Sequence, residues 1–100
     1  LAILCRTDID ARRVAKWVRP LAPVRWVTDG RFRARGAQIT TIDQVKGLEF
    51  DYVVVADAGA EAFPDVPAAR RALYVAATRA RHEVVFLAIG RATPLLGDVA

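Results

Sequence analysis

The sequence has no methionine, one cysteine, one histidine and only two lysines. Each scarcity removes a class of function. A lone Cys5 can form neither an internal disulfide nor a cysteine-based zinc cluster. At the end of an apolar run it reads as a small buried hydrophobe. A lone His82 leaves no Ser-His or Cys-His pair with an orienting carboxylate, and no metal-ligand spacing occurs. The Gly-x-x-x-x-Gly-Lys-Ser/Thr loop is missing, so the chain has no phosphate cradle of its own. No apolar run approaches the ~20 residues that cross a bilayer, and no charged-then-apolar leader opens the chain. A soluble, cytoplasmic protein with no membrane partner is expected. The absence of methionine, with a start inside Leu1-Ala2-Ile3-Leu4, further suggests a fragment of a longer polypeptide.

What is present is a globular composition, 54% hydrophobic and 26% charged over 100 residues. That suits a single domain, residues 1–100, with a core of its own. The net charge of +4 rests on thirteen arginines. A basic balance fits an anionic partner, nucleic acid or nucleotide phosphate. Arginine-rich coding bias on a solvated surface gives the same count.

Along the chain, apolar runs alternate with helical periodicity. Leu1 to Arg6 reads as a buried strand. Thr7 and Asp10 have capping-box spacing, and Ala11, Val14, Ala15 and Val18 then form one helical face, closed by Pro20 and Pro23. Val24 to Thr28 is a brief strand before the Asp29-Gly30 turn signal. Arg31, Arg33 and Arg35 alternate with Phe32, Ala34 and Gly36. Such a stretch can track a phosphate backbone, but it equally describes an exposed edge strand with solubilising charge. Gln38 to Ile42 and Tyr52 to Ala56 are strands, and Gly59, Pro64 and Pro67 lie in the loop that follows. A helix is predicted from about Ala68 to Arg81, capped by Asp65 with Pro67 in its first turn. Val84 to Ile89 is a further apolar strand, and Thr93 to Ala100 has the start of a helical pattern. Strands and helices in alternation predict an α/β fold with a parallel sheet flanked by helices.

The chemistry concentrates between Ile39 and Asp57. Two β-branched runs flank a polar insert, Asp43 to Asp51, holding Lys46, Gly47 and Glu49. The insert is expected at the carboxyl edge of the sheet, where open α/β sheets bind ligands. Asp57 ends an apolar strand as a magnesium-binding aspartate would, but with no phosphate loop it reads as a strand-end carboxylate satisfied by loop amides. His82, placed at a predicted helix end, reads as a surface residue near the negative dipole. Trp17 and Trp26 read as packing residues. Arg79, late on the predicted helix, is a permanently charged donor fork suited to phosphate.

Two segments together resemble a known family. Thr41-Ile-Asp-Gln-Val-Lys-Gly-Leu-Glu-Phe50 resembles motif V of the UvrD/Rep-type superfamily 1 helicases, and Leu73-Tyr-Val-Ala-Ala-Thr-Arg-Ala80 resembles their motif VI. Ala2-Ile-Leu-Cys-Arg-Thr7 is similar to the strand that opens the same domain, and Ala62-Phe63-Pro64 falls where the family often carries Phe-Pro. The resemblance implies a RecA-like fold of the P-loop NTPase type, the second motor domain, without a Walker A loop. It implies ATP, with Mg2+ held by an absent N-terminal RecA-like domain of the same polypeptide. Arg79 would be the arginine finger reaching the γ-phosphate, worth ~10³ to 10⁵ in rate. Glu49 would contact the ribose, and Gly47 would permit close backbone approach. Thr41 and Asp43 would face single-stranded DNA, and the isolated fragment would be inactive.

Two departures stand out. The family usually has histidine where this chain has Asp43, and a carboxylate there repels phosphate. The large accessory domain that Rep and UvrD insert before motif V has no room between Arg19 and Ile39. Either that insertion was removed from this chain, or the chain belongs to a compact branch; the HelD-type ATPases that bind RNA polymerase share both motifs and are one alternative. A non-catalytic interaction domain of degenerate helicase fold is the other.

Overall fold

The apolar run that opens the chain becomes the central strand of the fold. The computed structural model describes residues 1–29, 31–33 and 36–99. Within them β1 (Ala2–Cys5), β2 (Val24–Trp26), β3 (Ala37–Thr41), β4 (Phe50–Ala56) and β5 (Ala80–Leu87) form one sheet. Its spatial order is β2-β3-β1-β4-β5, and every pairing is parallel. The helices are α1 (Asp8–Val18), α2 (Pro67–Ala77) and a short α3 (Leu96–Val99), with a 3-10 turn at Ile42–Val45. None of the described helices is long and apolar enough to cross a membrane.

Alternate residues of β1 serve two core layers, as the pleat requires. Ala2 and Leu4 join Val53 and Val55 beneath α2 and the 3-10 turn, with Phe63, Leu73 and Leu95 filling the layer. Ile3 and Cys5 join Ile39 beneath Ala11, Val14 and Ala15 of α1. The N-cap half of the predicted capping box forms, but the Asp10 carboxylate takes the Thr7 hydroxyl and not the Thr7 amide. The Asp10 amide donates to Thr7 Oγ1 at 3.2 Å, and that hydroxyl donates to Asp10 Oδ2 at 2.8 Å.

Four expectations are corrected. The second helix ends at Ala77, four residues before Arg81, because the chain must turn there to pair Ala80 with Phe50. His82 therefore lies on β5, exposed beside Asp51 and Tyr52, and not at a helix end. Asp65 caps nothing: Val66 holds the cap position without a side-chain bond, and Asp65 pairs with Arg70 at 3.1 Å. The continuously apolar run 84–89 belongs to an edge strand. Val84 and Phe86 pack on the core, while Val85 and Leu87 face outward. An unbroken apolar run does not reveal that one sheet face ends uncovered.

Phe63 is the largest side chain at 0% exposure. Phe63→Ala is expected to lower unfolding free energy by about 3–5 kcal/mol, read from urea denaturation. A change below about 1 kcal/mol would mean that this layer is not the closed core described.

Candidate functional site

The parallel sheet separates the polar insert into two places. β3 ends at Thr41, level with Cys5, whereas β4 begins at Phe50, three residues before the position paired with Ala2. Residues 42–49 thus cross from the carboxyl edge of the sheet to its amino edge. Thr41 and Asp43 stay at the carboxyl edge, Glu49 arrives at the amino edge, and Gly47 lies between them. The expectation that the whole insert decorates the carboxyl edge is corrected accordingly, since parallel strands can be joined only by a return path.

The crossing is built from local rules. Ile42 and Val45 are buried and anchor the 3-10 turn against the α2 layer. The Leu48 amide then donates to the Val45 carbonyl at 3.0 Å. Lys46 has φ −58° and ψ 128°, and Gly47 has φ 79°. Those angles match a type II turn, whose third residue needs positive φ. A Cβ on Gly47 would meet no described protein atom within 4 Å. The glycine is there for its backbone angle and not for close packing.

At the amino edge the end of α2 meets the start of β4. The Phe50 amide donates to the Arg79 carbonyl at 2.8 Å. This single bond makes the residue after Glu49 a neighbour of Arg79, although they lie far apart in sequence. Arg81 adds a second tie, with its Nη2 3.5 Å from the Glu49 carbonyl and its Nε 3.4 Å from Asp51 Oδ1. Arg79 itself is half-buried. Its Nη2 donates to Thr78 Oγ1 at 3.3 Å, and its buried Nε has no partner. A buried donor left unmade costs roughly 1–3 kcal/mol. Among the described residues Arg79 also makes no ion pair, so its half-buried charge is unneutralised and the accessible part of the guanidinium suits an anion.

At the carboxyl edge a cleft of about 650 Å³ opens between the loop after β1, the 3-10 turn and the first turns of α2. Here α1 leaves β1 towards one face of the sheet, while the chain leaves β3 towards the other. Such a switch point is where open α/β sheets form crevices. Thr41, 7% exposed, and the exposed Asp43 both line it. So do Arg6 and Arg71, which sequence reading did not single out as a pair. Their signal was weak, because they come from distant segments and are joined only by the fold.

Other candidates resolve simply. Asp57 accepts from the Ile89 amide at 3.0 Å, as expected of a strand-end carboxylate. A Cβ on Gly59 would stand 2.9 Å from that same oxygen. Arg31 and Arg33 are tied back by their backbones. Arg25 donates to the Arg31 carbonyl, and buried Gln38 bonds both the amide and the carbonyl of Arg33. Gly30, Ala34 and Arg35 lie outside the described residues. Trp26 packs on the α1 layer, while Trp17 is 41% exposed.

The family model for the UvrD-like helicase C-terminal domain matches residues 36–87, a span that includes the crossing, α2 and Arg79. The fold also matches a crystal structure of the C-terminal domain of a possible DNA helicase from Lactobacillus plantarum WCFS1. The TM-score is 0.86 and the identity 29%, over 99% of this chain and 62% of that one. No curated protein sequence matches the chain.

Cys5 sits under the carboxyl edge, fully buried. Burial, and secondly the carboxylates of Asp10 and Asp57, push its thiol from 9.0 up to about 12. Below pH 9.0 the thiol is protonated in folded and unfolded chains alike. Between 9.0 and about 12 the unfolded chain loses the proton first, so this contribution to stability declines as pH rises through that window. Iodoacetamide at pH 8 is therefore expected to spare the native protein and to label it in denaturant. Rapid labelling of native protein would contradict the burial.

Proposed function

The chain belongs to the UvrD-like helicase C-terminal domain family, and from that membership we propose that it is the second RecA-like lobe of an ATP-driven motor on single-stranded DNA. The structural neighbour's description as a possible DNA helicase supports the same reading. In it, ATP and its Mg2+ are bound by an N-terminal RecA-like domain of the same polypeptide, and the amino edge of this chain closes over them.

The observation that carries the proposal is the half-buried Arg79 with an unpartnered Nε. Its fork of donors matches phosphate oxygens and keeps its charge at every working pH. When the lobes close, water leaves the interface, and a fixed positive charge stabilises negative charge developing on the transferred phosphoryl group. Glu49, delivered to the same edge by the type II turn at Gly47, is assigned the ribose hydroxyls as acceptor. Thr41 and Asp43, at the other edge, are assigned the DNA strand. A carboxylate at Asp43 lowers affinity for phosphate, which leaves the grip to cations around it. The crossing from Thr41 to Phe50 then links grip on the strand to the nucleotide. Neither a polymerase-bound role nor a non-catalytic one gains support from any described residue.

In the full polypeptide, Arg79→Ala should lower ATP turnover by about 10³- to 10⁵-fold while a non-hydrolysable ATP analogue still binds within severalfold of wild type. Turnover is read from phosphate release and binding from titration with a fluorescent analogue. Unchanged turnover contradicts the assignment.

A further inference from the structure

The carboxyl-edge cleft is lined by more cations than Thr41 and Asp43 account for. Arg6, Lys46 and Arg71 line it together with Asp8 and Asp43, which leaves the cations in excess. Arg6 is already engaged. Its Nη1 donates to the Ala62 carbonyl at 2.7 Å, and its guanidinium lies 5.9 Å from the Phe63 ring centre. It is part of the wall.

Arg71 differs. Among the described residues it makes no hydrogen bond and no ion pair, although the adjacent Arg70 binds Asp65 at 3.1 Å. The contrast follows from helical geometry, since consecutive residues point about 100° apart. Ala68, Arg71, Ala72 and Val75 are the α2 residues that line the cleft, and their spacing makes them one stripe of the helix. In that stripe Arg71 is the only charge. The two alanines flanking it leave the cleft open at that height, with room for a sugar-phosphate chain. Asp43 and Lys46 both come from the segment after β3 and oppose one another in charge there, whereas the one charge that α2 brings to the cleft is Arg71.

We propose that Arg71 is a phosphate contact for a single-stranded nucleic acid lying in this cleft, holding two non-bridging oxygens through its donor fork. The inference rests on the strand-binding reading above. It adds that the grip comes from α2, the same helix that ends beside Arg79.

The test is fluorescence anisotropy of labelled dT and rU oligonucleotides with the full polypeptide over a salt series. Arg71→Ala should weaken binding severalfold and reduce the slope of log K against log salt by about 0.7, the value for one phosphate contact on a single strand. Arg71→Lys, which keeps charge and loses the fork, should fall between. Arg19→Ala removes the same charge just beyond the far end of α1 and should change nothing. Equal loss on dT and rU is expected, because the contact is to phosphate; loss confined to one polymer overturns the contact. So does wild-type affinity and slope in Arg71→Ala, or an equal loss in Arg19→Ala, which would make the effect diffuse charge. Wild-type protein that binds neither oligonucleotide would instead overturn the strand-binding reading on which the inference stands.

Discussion

Two parallel strands that flank a third can be joined only if the chain returns along the sheet. β3 and β4 flank β1, and the placement of the candidate site residues follows from how residues 42–49 make that return. Their registers on β1 require a journey of roughly 20 Å along the strand direction, at about 3.3 Å per residue. The available path is a 3-10 turn rising about 2 Å per residue and a type II turn whose ends lie within about 7 Å. Little length is left over. The polar insert is therefore a short strut with one end at each edge of the sheet, and not a loop at one edge.

α2 runs beside that strut in the same layer. Ile42 and Val45 pack with Ala69, Leu73 and Ala76, so the strut and the helix share one core. Both begin at the carboxyl edge and both finish at the amino edge, where the Phe50 amide meets the Arg79 carbonyl. The cleft lies between their first turns. Anything that fits between them bears on two elements whose far ends hold Glu49 and Arg79. On the proposed reading, this is how a strand in the cleft and a nucleotide at the opposite edge come to influence one another. The route is packed side chains and one backbone bond.

Much of the architecture was legible because it is written in local patterns. The alternation of strands and helices, the Thr7 N-cap and the apolar face of α1 all follow from spacing alone. The two motifs were legible as well, since each is contiguous. What escaped was whatever depends on direction and distance. The residues of the insert gave no sign that Thr41 and Glu49 end at opposite edges, because that depends on the register of strands paired with β1. Asp65 looked like a cap by composition, yet Arg70 one turn later competes for its carboxylate. The end of α2 was misjudged because Thr78 to Arg81 can continue a helical pattern; the pairing of Ala80 with Phe50 decides otherwise. Arg6 and Arg71 come to line one cleft only through the fold.

The central claim is that the two edges of this domain are mechanically joined through residues 42–49. The most direct measurement is the affinity of the full polypeptide for a dT oligonucleotide with and without a saturating non-hydrolysable ATP analogue, alongside the reciprocal titration. Linked edges require each ligand to change the other's affinity by the same factor, commonly about 5- to 150-fold. Oligonucleotide affinity that stays the same when the nucleotide site is full would contradict the account.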